Sequence, residues 1–121
     1  MSTHVNTYAM IGVVLPGDTF GDDAYDHLEP YRDSAFDGIK HHDGLCVLYD
    51  GMNGSYVAIG KVIAKTEDGQ GFEEPITFPA LPVETIEDAH EIVDLRLKIA
   101  RLMPSGVTLP PIGCHVISHY R

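Results

Sequence analysis

Positive charge is scarce in this chain. Eight Lys and Arg stand against 18 Asp and Glu, a net charge of −10. Binding a polyanion needs a basic patch, so nucleic acid is not an expected ligand. Basic protein surfaces remain open as partners, and the acidity also serves solubility. Long apolar runs are missing as well. None approaches the ~20 residues of a membrane-spanning helix, and Met1–Asn6 has neither the basic start nor the apolar stretch of a secretory leader. The chain therefore reads as cytoplasmic and without a membrane partner. Cysteine is limited to Cys46 and Cys114, each inside an apolar run, which reads as two buried free thiols and not as a disulfide framework.

The known chemical signatures are absent too. There is no P-loop, dinucleotide glycine fingerprint, nucleophile elbow or zincin helix. No cofactor is implied. No internal repeat or low-complexity tract divides the 121 residues, which read as a single α+β domain over 1–121.

What is present is a strong hairpin signal. Leu45–Tyr49 and Ser55–Ala64 are apolar, β-branched and aromatic runs flanking Asp50-Gly51-Met52-Asn53-Gly54, and Asp-Gly and Asn-Gly accept the positive φ of tight turns. Tyr8–Leu15 is apolar at both parities, which predicts a strand covered on both faces. Between it and the hairpin, Tyr25, Leu28, Tyr31, Ala35 and Ile39 recur at helical spacing, with Asp22, Asp26, Glu29, Asp33 and Asp37 on another side. That spacing predicts an amphipathic helix over 22–39, kinked or split near Glu29 by Pro30. Lys65–Pro82 is a long connection rich in Gly and Pro, with an edge strand expected at 75–78. Thr85-Ile86-Glu87-Asp88 resembles a capping box and opens a helix that Pro104-Ser105-Gly106 stops. This helix has two apolar faces: Ile86, Ala89, Val93, Leu97 and Ala100 on one, Ile92, Leu95, Ile99 and Leu102 on the other. Cys114–Tyr120 alternates like a last strand.

The order β-α-β-β-α-β resembles the ferredoxin-like sandwich. Its expected form is a four-stranded antiparallel sheet with two helices on one face. The face away from the helices is then apolar and needs a cover, either the Lys65–Pro82 connection with Phe72, Ile76 and Phe78 or a second copy; the connection offers few apolar anchors, so a homodimer is the expected assembly.

Candidate sites are few. His41, His42 and Asp43 lie in a loop beside the hairpin, the first place to look for a polar site. His41 and Asp43 suit a base and its orienter, though adjacent histidines in extended chain point apart. His115 and His119 share a strand face at about 13 Å, too far to ligate one metal ion directly. His90 and Asp94 lie one helical turn apart. No metal site is assigned. The acidic stripe Asp22, Asp26, Glu29 and Asp33 is the candidate partner-binding surface.

Charge and missing catalytic motifs together favour a small acidic, non-catalytic interaction protein that binds and modulates, or inhibits, a macromolecular partner. In composition it looks like the accessory proteins of phages and mobile elements. The alternative is a small-ligand-binding regulatory module of the ferredoxin-like type, and a His-dependent enzyme ranks behind both. One consequence is chemical. In the expected strand order Cys46 and Cys114 fall on opposite edges, three spacings of ~4.8 Å apart, whereas a disulfide needs Cα atoms within ~7 Å. Unfolding under non-reducing conditions should expose two thiols to a thiol reagent; none would mean the cysteines are bonded and the strand order is wrong.

Overall fold

The structure, a computed structural model, describes residues 5–21, 27–32, 41–50, 54–66, 75 and 86–120, with 86–89 and 120 described as backbone only. Four strands and one helix follow in the order β1 (Val5–Pro16), β2 (Cys46–Tyr49), β3 (Tyr56–Lys65), α1 (Ile86–Leu102) and β4 (Gly113–Tyr120). The strands form one sheet in the order β2-β3-β1-β4, with β1–β3, β1–β4 and β2–β3 all antiparallel. Cys46 and Cys114 thus sit on opposite edge strands, and both are free.

The two-helix ferredoxin-like sandwich is not formed. Among the described residues α1 is the one complete α-helix, and in the 22–39 stretch only His27 and Leu28 are α-helical. Where the spacing predicts a helix over 22–39, Glu29–Tyr31 make a 3-10 turn containing Pro30. Arg32 then leaves helical geometry (φ −67, ψ 136) and bridges in parallel to Val47 at the β2 edge. Proline has no amide to continue the ladder and crowds the preceding turn, so the helical periodicity of the flanking side chains does not carry through it. The edge strand expected at 75–78 lies outside the described residues, save Pro75, which is exposed and in no strand.

Both parities of the central strands are buried. Val13, Leu15, Val47, Val57 and Ile59 join Phe20, Leu28, Leu45, Ile99 and Leu102 in a core under α1. The alternate residues Tyr8, Met10, Cys46, Leu48, Ala58 and Val62 form a second core on the opposite face, with Tyr56 and Ile117 packed against it. Curvature of the sheet accounts for much of this second core. Tyr56 pairs with Pro16 at one end of β1, and His119 pairs with Asn6 at the other. Ten residues of straight strand would part them by ~33 Å, yet the Tyr56 hydroxyl lies 2.7 Å from Nδ1 of His119. The sheet therefore curls, with the second core inside the curl.

The crease is made of glycine. Cys46, Gly60, Gly12 and Gly113 stand in one row across the four strands. A Cβ on Gly12 would lie 2.7 Å from the Gly60 Cα and collide with the Ile59 carbonyl oxygen; one on Gly60 would meet Gly12 and the Ile11 oxygen in the same way. These obstacles are backbone, which no rotamer change removes. A bulge between Ala9 and Met10 adds to the bend. At the open end of the curl the β1 and β3 termini are tied by polar bonds. Asn6 Nδ2 donates to the Thr66 carbonyl (2.7 Å), and the Thr7 amide donates to Thr66 Oγ1 (2.9 Å).

Helix α1 buries Ile99 and Leu102, with Leu95 packed against the same core. Its last turn is fastened from outside: His27 Nε2 lies 3.1 Å from the Leu102 carbonyl, and Arg96 donates to the carbonyls of Pro110 and Leu109 (3.1 and 3.4 Å). Pro104–Gly106 then turns the chain toward β4, with Gly106 at φ +85.

Gly12→Ala or Gly60→Ala should each lower stability by about 2–3 kcal/mol, the range for forcing atoms into a packed interior. Gly106→Ala meets no atom within 4 Å and should cost only about 1–2 kcal/mol, for its left-handed backbone. Urea unfolding of the three variants checks the order. A Gly12→Ala protein as stable as wild type would remove the crease.

Candidate functional site

The His41–Asp43 segment is a second tight hairpin. Asp43 (φ 52) and Gly44 (φ 77) both occupy the left-handed region, and His42 and Leu45 exchange both backbone hydrogen bonds (2.8 and 2.9 Å). Two consecutive positive φ values define the type I′ turn, for which Asp-Gly is a preferred pair. The turn sends the two histidines to different places. The ring of His42 meets Tyr31 edge to face, centroids 4.9 Å apart. Nε2 of His41 accepts the Val62 amide at 3.1 Å. Strand β2 begins at Cys46, opposite Gly60, while β3 runs on to Lys65. Val62 thus lies beyond the reach of β2, and the imidazole takes the place of a strand neighbour. No hydrogen bond joins His41 to Asp43, so the three residues are neighbours in sequence without forming a base–orienter pair.

Beside this turn lies a cavity of about 350 Å³. Helix α1 supplies Glu91, Ile92, Asp94, Leu95 and Lys98; the sheet supplies Ile11 and Lys61; the turn supplies His41 and Gly44. Ile11, Ile92 and Leu95 make its apolar part. Lys98 is held by Asp94 one helical turn away, at 3.2 Å. Its Nζ also lies against Gly44, where a Cβ would come within 2.9 Å of it. Among the described residues Lys61 and Glu91 make no ion pair or side-chain hydrogen bond.

A polar chain runs through the curl. Asp50 is buried, and its Oδ2 accepts the Ser55 amide at 3.0 Å. The neighbouring Tyr56 reaches His119, which is 6% exposed and also lies edge-on to the rings of Tyr8 and Tyr56. The Lys65 ammonium stands 5.4 Å from the centroid of the Tyr8 ring. Burial, with the Asp50 charge adding to it, pushes the Tyr56 phenol up to about 12. His115 shares this face of β4, and its Nε2 is buried with no partner among the described residues.

Of the acidic stripe, Asp22, Asp26 and Asp33 lie outside the described residues. Glu29 is exposed and pairs with Arg32 at 3.6 Å, a surface contact worth little. His90 and Asp94 are exposed on α1, and Asp94 is turned to Lys98. Among the described residues no group of three or more His, Cys, Asp or Glu could hold a metal ion. The cavity and the Asp50–Tyr56–His119 chain were not found from sequence. Lys61 and Glu91 come from different elements, and Tyr56 meets His119 only because the sheet curls. The hairpin at Asp43-Gly44 carried a usable signal, the same Asp-Gly pair that marked the longer one.

The raised phenol gives a pH dependence of known sign. Between pH 10 and 12 the unfolded tyrosine is ionised while the folded one keeps its proton, so the folded state binds more protons and stability falls as pH rises through that window. The contribution is fully present below pH 10. Tyr56→Phe removes this component: the wild-type advantage over the variant, from urea midpoints at pH 9 and pH 11.5, should shrink at the higher pH. A constant difference would mean that the Tyr56 phenol is not raised.

No protein-family model, curated protein or solved structure matches the chain.

Proposed function

We propose that the chain is a non-catalytic interaction protein that binds and modulates a protein partner, and that the outward face of α1 is its contact surface. One feature of α1 supports this. Val93 and Leu97 are 57% and 54% exposed, and Ala100 is exposed beside them. At 3.6 residues per turn this stripe lies roughly 180° from the buried side chains of Leu95, Ile99 and Leu102. A helix serving only as a lid on a sheet is apolar on one side and polar on the other. Here two large apolar groups one turn apart face outward, the pattern by which a helix lays anchors into a partner's groove. A second copy is one such partner.

A second reading, a small-ligand regulatory module, is favoured by the cavity. Its size lies at the lower end of the range for small-molecule sites, and it combines an apolar surface with a few polar groups.

The contact surface is tested with Val93→Asp combined with Leu97→Asp. Both positions are exposed, so the folded state should lose no more than about 0.5 kcal/mol per site. A photo-crosslinker at position 97 should trap a partner, or a second copy, at its native concentration, and one at position 105 should not. Sedimentation at micromolar concentration separates a homodimer from a complex with another protein. Equal labelling at both positions, or none at 97, would sink the proposal.

A further inference from the structure

Opposite charges face each other across the α1 cavity without meeting. Lys61 projects from the β3 wall and Glu91 from the helix wall, and both line the same space. Neither makes an ion pair or a side-chain hydrogen bond among the described residues. The other charged pair in the lining, Asp94 and Lys98, is satisfied within the helix at 3.2 Å. His41 has its Nε2 engaged by the Val62 amide. Lys61 and Glu91 are therefore the cation and anion left to a guest. Their charges cancel, which disfavours a guest of large net charge: a dianion would meet Glu91 and Asp94, and a dication would meet Lys61 and Lys98. Ile11, Ile92 and Leu95 supply the apolar surface for the body of the guest. Gly44 borders the site in the left-handed region (φ +77), and a Cβ there would come within 2.9 Å of Lys98 Nζ, the flexible end of a side chain that can move aside.

We propose that this cavity binds a small zwitterion with an apolar side chain, of the α-amino-acid class, its carboxylate on Lys61, its ammonium on Glu91 and its side chain against Ile11, Ile92 and Leu95. This rests on the ligand-module reading and names the chemistry of that same site. Each end of the guest makes a charge-assisted contact. Two contacts of opposite sign at fixed positions also set its direction in the site.

The test uses the intact chain and four probes, followed by amide chemical shifts and by calorimetry. L-Leucine carries all three features. 4-Methylpentanoate lacks the ammonium, 3-methylbutylamine lacks the carboxylate, and glycine lacks the side chain. The amides of Ile11, Gly44, Lys61 and Ile92 should shift with L-leucine, and each of the other probes should bind at least tenfold more weakly. Lys61→Met and Glu91→Gln should each weaken L-leucine at least tenfold, and Lys61→Arg should restore most of it. Both changed side chains are exposed, so the fold is kept. A single-charge probe binding as tightly as L-leucine would overturn the zwitterion and leave the cavity as a ligand site. Shifts at those amides with none of the four probes would overturn the site and the ligand-module reading together.

Discussion

The close approach of Gly12 and Gly60 is the constraint on which the rest of the structure depends. A four-stranded sheet without a second layer leaves one face to water, and the residues on that face here are Tyr8, Met10, Leu48 and Val62, which are apolar and buried. Bending the two central strands at the one row where neither carries a side chain draws the ends of the sheet together. The apolar face becomes the inside of a curl. Without the crease Tyr56 and His119 would stand at opposite ends of β1, and their buried polar groups would lack each other. The polar ties at Asn6, Thr7 and Thr66 then hold the shape that the glycines permit.

The curl also changes what assembly is for. The homodimer expected from the sequence served to cover an open sheet face. Much of that face is buried within the chain, and the large apolar side chains that stand outward are Val93 and Leu97 on α1 and Val116 on β4, with Val14 and Ile63 less so. Any association of copies that the protein makes is better placed on these outward side chains. On the inner side of the same helix, Glu91, Asp94 and Lys98 border the cavity. One helix thus offers a row of anchors outward and a set of charges inward. A guest that draws Glu91 toward the sheet acts on the element that carries Val93 and Leu97, which gives ligand and partner a shared piece of structure.

Much of the sheet was legible in the residues, because strands announce themselves locally. The apolar run of β1, the hairpin at Asp50–Gly54 and the alternation of β4 each lie within one stretch of chain. The edge positions of Cys46 and Cys114 followed from the order of elements. In the described part of the helix expected over 22–39, the backbone leaves α-helical form at Pro30: side-chain periodicity is a statement about faces, whereas continuation of a helix needs a backbone donor that proline lacks. The two apolar stripes of α1 were visible, but which of them is buried depends on the sheet beneath. The crease was not legible. Gly12 and Gly60 look like ordinary strand glycines until the register sets them opposite each other. Of the charged and polar groups of the candidate site, His41 and Asp94 were named from sequence; His41 satisfies the Val62 amide at the wall of the cavity, and Asp94 holds Lys98. Lys61 and Glu91 are unremarkable surface charges in sequence and acquire meaning only by facing one another.

The bridge between Tyr56 and His119 has a consequence for how the chain folds. It joins β3 to β4 across more than half the chain, and closing so long a loop is slow compared with forming a hairpin. The β2–β3 hairpin can form early from local contacts alone. Tyr8, Met10 and Val62 lose their water only when β4 arrives and the curl shuts. During synthesis the half-built sheet therefore carries an exposed apolar face for as long as β4 is missing, and its β1 edge is unpaired. The interval before β4 docks is when this chain is most exposed to aggregation and to chaperones.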